Sequence, residues 1–237
     1  MRNLQLTERV SPHACLAGHK IKSESESIVA PSFGHGSAQR IEEGVRRPGF
    51  SGLALREFLR SPLAVGSAFP ASRFLVESML DPVDWSLVDC VAEYGPGTGI
   101  FTHALLDRLP AHSRILAIDT SAAFIDHLRE ATPDKRLIAV SGSADNVRHI
   151  MAEHGLGRAD CIISGLPFST LPPERAARLM DVSRRSLTPQ GMFLAYQMRK
   201  AVAPLLSRNF ATVKTGFEWR NMPPCHLYWG SRPLGIS

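Results

Sequence analysis

The residues best suited to chemistry lie in Val91-Ala92-Glu93-Tyr94-Gly95-Pro96-Gly97-Thr98-Gly99, where three glycines occupy alternate positions behind an acidic residue. Glycines so spaced let the main chain turn sharply and approach a ligand without a Cβ in the way. Two phosphate-binding patterns do not fit. The dinucleotide fingerprint requires a third glycine where Ile100 stands when counted from Gly95, and it fails from Gly97 as well. The P-loop needs a Gly-Lys-Ser/Thr that does not follow. Twenty residues after Gly99, Asp119 can accept both hydroxyl protons of a ribose in a bidentate contact.

These residues need a scaffold that delivers them to one edge, and the apolar periodicity predicts one. Segments 87–95, 113–119, 136–142, 159–165 and 191–198 read as strands. Between them, 100–109, 121–131, 144–154 and 172–187 read as helices, and 202–208 as a short one. In 100–109 the inward face is expected to carry Ile100, Ala104, Leu105 and Leu109. Thr120 or Ser121 suits the N-cap of the following helix. In 172–187, Ala176, Leu179, Met180, Ser183 and Leu187 form one stripe, with Pro in the first turn. Strands spaced by helices predict an α/β fold with a mostly parallel, doubly wound, Rossmann-like sheet. Segments 210–221 and 223–230 break the rhythm and predict two strands forming an antiparallel C-terminal edge. Ahead of the sheet, 49–62 and 71–80 show helical spacing, with Leu75, Met79 and Leu80 inward. Residues 1–48 are rich in Ser, Gly, His, Glu and Arg, without periodicity, and are expected to be a variable or disordered extension to a domain over 49–237.

The arrangement Glu-x-Gly-x-Gly-x-Gly resembles motif I of the class I S-adenosylmethionine-dependent methyltransferases, whose sheet has seven strands. The resemblance implies S-adenosyl-L-methionine as cofactor. Glu93, Gly95, Gly97 and Gly99 would hold its methionine part, Asp119 its ribose, and Ser143, Ala144 and Asp145 its adenine edge. Beyond that loop, Phe58-Leu59-Arg60-Ser61-Pro62 through Arg73, Ser164-Gly165-Leu166-Pro167, and Trp219-Arg220-Asn221-Met222-Pro223-Pro224 are similar to segments of the bacterial phospholipid N-methyltransferases. The likeness spans roughly residues 50–230. It implies transfer of methyl groups to the amine of a headgroup of the phosphatidylethanolamine type, by an enzyme lying peripherally on the membrane from the cytoplasm.

In-line methyl transfer draws on positioning and desolvation. The amine must first lose a proton, which a carboxylate, a tyrosine or water can take. Leu166, Pro167 and Tyr196 are expected at the acceptor, in the catalytic positions. The Ser164–Pro167 turn sits where amino-methylating relatives place Asn/Asp-Pro-Pro-Tyr, whose carbonyls grip the target nitrogen. Rings steady a cationic product, and Tyr94, Phe168, Tyr196 and Trp219 are candidates. Tyr196 and Phe168 come first, since they end strands. For the membrane, Arg56, Phe58 and Arg60 lie on the short amphipathic segment, and Arg220 is a further contact with the acceptor or headgroup.

Charge fits an anionic partner. The net +5 divides into +3 over residues 1–60, −5 over 61–170 and +7 over 171–237. The acidic middle holds Glu93 and Asp119; the basic ends suit a membrane surface or RNA. The 44% hydrophobic and 21% charged residues are ordinary for a globular chain and exclude wholesale disorder. The four cysteines have no metal-ligand spacing and read as reduced thiols, and the nine histidines suggest no metal site. A ribosomal RNA adenine N6-methyltransferase is the main alternative, followed by a small-molecule methyltransferase. The missing Asn/Asp-Pro-Pro-Tyr/Phe counts against a stable nucleic-acid partner.

Overall fold

A computed structural model of the chain describes residues 71–236. The extension 1–48 and the amphipathic segment with Arg56, Phe58 and Arg60 lie outside the described residues. Helix α1 (Arg73–Leu80) comes first, capped by Ser72, whose hydroxyl accepts from the Leu75 amide. It buries Leu75, Val76, Met79 and Leu80, which include the three inward residues expected from spacing. Then strands and helices alternate: β1 (Cys90–Tyr94), α2 (Ile100–Leu106), β2 (Arg114–Asp119), α3 (Ala122–Ala131), β3 (Leu137–Ser141), α4 (Val147–Glu153), β4 (Ala159–Ser164), α5 (Pro173–Ser186) and β5 (Leu187–Gln197). The short helix α6 (Ala203–Asn209) leads into β6 (Phe210–Glu218) and β7 (Cys225–Pro233).

All seven strands form one sheet in the order β3-β2-β1-β4-β5-β7-β6. Strands β1 to β5 pair in parallel, whereas β7 is antiparallel to both β5 and β6. This is the mostly parallel, doubly wound, Rossmann-like sheet with an antiparallel C-terminal edge that the sequence predicts. The chain reverses direction across the sheet between β1 and β4, and open α/β sheets bind ligands in the crevice at such a switch point, beyond the carboxyl ends of the strands.

Period-2 alternation divides the core between the two faces. Val91, Ile115, Cys161, Ile163, Leu194 and Leu227 pack toward α1 and α2. Ala92, Tyr94, Leu116, Ile118, Ile162, Phe193 and Tyr228 pack on the opposite face, with α4, α5 and α6. On that logic Glu93 shares the face of Val91, and Tyr94 points the other way.

Two expectations need correction. Helix α2 buries Phe101, Thr102, Leu105 and Leu106. Ile100 and Ala104 sit at the margin and Leu109 follows the helix, because seven residues make only two turns and one narrow inward face. Strand β5 begins at Leu187 rather than near 191, and a register shift against β4 between Ala159 and Cys161 absorbs the intervening residues.

Candidate functional site

The glycine loop leaves β1 with Gly95, Gly97 and Gly99 all at positive φ (71°, 54° and 80°). At Gly99 the requirement is also one of space, since a Cβ would lie 2.6 Å from Leu128 Cδ1. The loop is tied to both neighbouring strands. The Gly95 amide donates to the Ile118 carbonyl at 2.9 Å, and the Gly165 amide, following β4, donates to the Tyr94 carbonyl at 3.0 Å. Above Gly97 a Cβ would meet nothing within 4 Å, so the loop has room on its outer side for a ligand.

Asp119 closes β2 beside this loop. Its carboxylate accepts from the Gly97 amide at 3.4 Å and from the Ser121 amide at 2.9 Å, which fixes its orientation at the strand end. Ser121 is the N-cap of α3, accepting from the Phe124 amide. Glu93 is 2% exposed and accepts a 2.6 Å hydrogen bond from the Thr102 hydroxyl on α2. Burial pushes its carboxyl up to about 7; the Thr102 bond opposes the shift and the negative charge of Asp119 adds to it. Glu93 therefore titrates near neutrality.

The Ser143–Asp145 stretch closes on itself. Ser143 caps a single 3₁₀ turn over Ala144–Asn146, and its hydroxyl bonds Asp145 Oδ2 at 2.9 Å. The guanidinium of Arg175 on α5 holds the same oxygen through two nitrogens at 2.9 and 3.0 Å. Ala144 is buried.

On the side expected to take the acceptor, Tyr196 is the penultimate residue of β5, next to the Ser164-Gly165-Leu166-Pro167 turn. A Cβ on Gly165 would lie 2.3 Å from Tyr196 Oη and 2.9 Å from Cζ, so glycine here makes the space that the phenol occupies. The Tyr196 ring stacks on Phe101 of α2, with centroids 4.8 Å apart and planes at 14°. Burial, assisted by the nearby charges of Glu93 and Asp119, pushes the phenol well above its usual range. Tyr196 stays protonated at neutral pH, and its Oη offers lone pairs and one proton, not a phenolate. Leu166 leans back toward the glycine loop, its Cδ2 standing 3.4 Å from where a Gly95 Cβ would be.

The carbonyls of the turn are already engaged. Leu166 O accepts from the Gln197 amide nitrogen at 2.7 Å, and Pro167 O accepts from the amide and hydroxyl of Thr170, both at 2.9 Å. Leu166 and Pro167 thus border the site without free carbonyls of their own. Gln197 went unnoticed in the sequence. Its side chain also accepts from the Phe168 amide at 3.2 Å, so one buried amide fixes both ends of the bend. The available signal was a polar residue following the apolar run of β5. Gln197→Leu is expected to cost about 2 kcal/mol by leaving these groups unpaired. That should appear as a melting temperature lowered by roughly 4–8 °C.

The remaining rings separate. Tyr94 is fully buried against α5, its hydroxyl 3.3 Å from Ser183 Oγ, and Phe168 packs edge-on to Phe193 in the same core. Neither lines the crevice, because strand alternation turns Tyr94 away from Glu93 and the Gln197 bond turns Phe168 inward. Trp219 lies beyond the end of β6 and is exposed.

Arg220 is also absorbed by the fold. Its guanidinium makes bonds of 2.8 and 2.9 Å to the two oxygens of Glu218 and lies over the Phe74 ring at 4.3 Å. Glu218 also accepts from the Ser78 hydroxyl at 2.6 Å. These partners hold its carboxyl down to about 2. A depressed carboxyl stabilises the fold above its unfolded pKa and loses that contribution as pH falls toward 2. Arg220→Ala should therefore destabilise the protein at neutral pH, with the difference from wild type closing as the pH approaches 2 in acid unfolding curves.

Residues 91–191 match a methyltransferase-domain family model. The ornithine lipid N-methyltransferase of Singulisphaera acidiphila is 29% identical over 179 residues, which cover 75% of this chain and 93% of that protein. Among solved structures, the N-methyltransferase NodS of Bradyrhizobium japonicum WM9, in complex with S-adenosyl-L-homocysteine, superposes with a TM-score of 0.54 at 16% identity, covering 68% of this chain and 89% of that one. A SAM-dependent methyltransferase from Aquifex aeolicus gives 0.53 at 13% identity, covering 76% and 96%. At these identities the structural likeness speaks for the fold alone.

Proposed function

Because this chain is a class I S-adenosylmethionine-dependent methyltransferase with a lipid-methylating relative, we propose that it methylates the amine of a membrane-lipid headgroup, of the phosphatidylethanolamine type, at the bilayer surface. The observation that carries the reading is Tyr196 Oη lodged over Gly165, directly across the switch point from the glycine loop. The residues present fit the cofactor. Open space over Gly97, the oriented carboxylate of Asp119 and the buried Glu93 form a cradle at one crevice.

Bound S-adenosylmethionine supplies an electrophilic methyl group on a sulfonium. Asp119 would orient the ribose through its diol, and Glu93 would supply negative charge near the methionine part. Asp145, already bonded to Ser143 and to Arg175, leaves backbone and the Ala144 surface for the adenine edge. On the other side, Tyr196 Oη would accept an N–H from the neutral amine and aim its lone pair toward the loop. Stacking on Phe101 keeps that oxygen in place, so alignment is built in before the substrate arrives. Since the phenol holds its proton, the amine's own proton leaves to water or to Glu93.

The lipid acceptor is supported by the relative and by the charge of the rim. Arg73 on α1 and Arg199 and Lys200 after β5 are exposed and without an ion pair among the described residues. Guanidinium groups suit phosphate. No helix among the described residues is long and apolar enough to cross a membrane. The test is transfer of label from methyl-labelled cofactor to vesicles containing phosphatidylethanolamine, with ornithine lipid and ribosomal RNA as parallel acceptors. Label in phosphatidylethanolamine is expected. Label confined to ornithine lipid would move the headgroup assignment, and label in RNA alone would overturn the lipid reading. Asp119→Ala should weaken cofactor binding about 100-fold by calorimetry, the loss of two charge-assisted hydrogen bonds.

A further inference from the structure

The turn between β6 and β7, residues 219–224, is a braced mount carrying exposed apolar side chains. Arg220 is clamped to Glu218 and lies over Phe74. Asn221 is buried, and its Oδ1 accepts from the Ser72 amide at 2.8 Å while its Nδ2 donates to the Pro223 carbonyl at 2.7 Å. These bonds tie the turn to the start of α1, some 150 residues earlier in the chain. By contrast, Trp219 is 72% exposed and Met222 75%, and Phe217 on the adjoining edge strand is 55% exposed.

The turn also lies at the functional end of the sheet. His226 pairs with Gln197 at the carboxyl end of β5, and Cys225 pairs with Glu218. The turn therefore projects from the same end as Gly95, Gly165 and Tyr196. Met198, 48% exposed, and the cations Arg199 and Lys200 follow β5 there, and Arg73 opens α1 beside Ser72. Apolar side chains and cations without an ion pair among the described residues thus share one rim.

We propose that this turn is a wedge that enters the interfacial layer of an anionic bilayer. Trp219, Met222 and Phe217 insert, and Arg73, Arg199 and Lys200 meet lipid phosphates. The proposal rests on the lipid reading above and names the element that docks. Tryptophan combines a large apolar body with one N–H donor, which suits the boundary between headgroup and acyl chain. Apolar insertion and cationic attraction add in interfacial binding. Bracing by Arg220 and Asn221 means that little conformational freedom remains to be lost on insertion. A bilayer fits better than a protein partner, because a stable protein interface needs about 800 Å² from each side, more than one short turn presents.

The chain carries its own reporter. Of the three tryptophans, Trp85 and Trp229 donate their indole N–H groups to the Leu80 and Met79 carbonyls, at 2.9 and 3.0 Å. Trp219 is the one projecting into solvent. Full-length protein is titrated with phosphatidylcholine vesicles with and without phosphatidylglycerol, reading tryptophan emission and co-sedimentation. With phosphatidylglycerol, emission should shift to the blue and be quenched by brominated acyl chains, and Trp219→Phe should abolish both changes. Trp219→Ala with Met222→Ala should lower vesicle partitioning about tenfold or more, equivalent to at least 1.4 kcal/mol, with S-adenosylhomocysteine binding retained as the check on folding. Sedimentation with vesicles without any change in Trp219 emission would overturn the wedge and leave the lipid reading standing. Blue emission already present without lipid, unmoved by vesicles, would mean that the chain or a second copy covers the turn, and would also overturn it. Absence of both vesicle binding and lipid labelling would remove the lipid reading itself.

Discussion

Alanine at position 165 should lower turnover at least about 100-fold, the scale expected when a positioning group is displaced by about 1 Å. The added methyl would fall 2.3 Å from Tyr196 Oη and 2.9 Å from Cζ, well inside contact distance. The phenol cannot simply slide aside, because its ring lies flat on Phe101. It must tilt out of the crevice, and the oxygen proposed to meet the amine goes with it. Two measurements separate this from general damage. Cofactor affinity should fall much less than turnover, since Asp119 ends β2, on the far side of β1 from the turn that follows β4. Adding Tyr196→Phe should recover part of the melting temperature, because the nearest clashing atom is gone, while turnover stays low. Full recovery of turnover in the double variant would show that the hydroxyl has no part in acceptor alignment.

Glutamine at position 93 should make the protein more stable and the enzyme worse. The Glu93 carboxyl is raised from 4.5 to about 7, chiefly by burial. A raised carboxyl leaves stability intact below the unfolded pKa. As pH climbs from about 4.5 to 7, the unfolded chain ionises while the folded one resists, and stability falls. At 1.36 kcal/mol per unit, the loss above pH 7 is about 3 kcal/mol. Glu93→Gln does not ionise, so it should exceed wild type by that amount at pH 8, with the gap vanishing near pH 4.5, in denaturant titrations across pH. Cofactor binding should show the reverse effect. S-adenosylmethionine carries a sulfonium and an ammonium, and their charge favours the ionised carboxyl, so wild type should release protons on binding just below pH 7. Calorimetry in buffers of different ionisation heat would detect this release, and the glutamine variant should show none and bind more weakly. Parallel pH–stability curves for the two proteins would overturn the assignment of the titration to Glu93.

The parts of this molecule legible in its sequence are those governed by short-range periodicity. Alternation marked the strands, 3.6-residue spacing marked α3 and α5, and the spacing from Gly99 to Asp119 marked the ends of two adjacent strands. Positive φ at the three glycines follows from residue type. What escaped is settled by partners distant in the chain. Thr102 beneath Glu93 belongs to α2, and its hydroxyl has no meaning until strand and helix pack. Gln197 reaches back 31 residues to Leu166. Arg220, offered by its charge as a headgroup contact, instead finds Glu218 and Phe74. Phe168 and Tyr196, ranked together as rings at strand ends, part company as Tyr94 and Tyr196 do. Facing opposite sides of the sheet, Tyr94 enters the core and Tyr196 the crevice.

The place of β7 in the sheet has a consequence for how the chain folds as it is made. β7 is the last of these seven strands to leave the ribosome, yet it occupies an interior position, hydrogen-bonded to β5 on one side and β6 on the other. Until β7 emerges, β6 has no strand to join. For that interval β5 is an open edge, apolar on both faces, the kind of edge that recruits strands from other chains. Completion then proceeds from within: β6 and β7 pair across a short turn as a local hairpin, and β7 enters beside β5. A chain cut short before Cys225 would thus leave β5 as an exposed, adhesive edge.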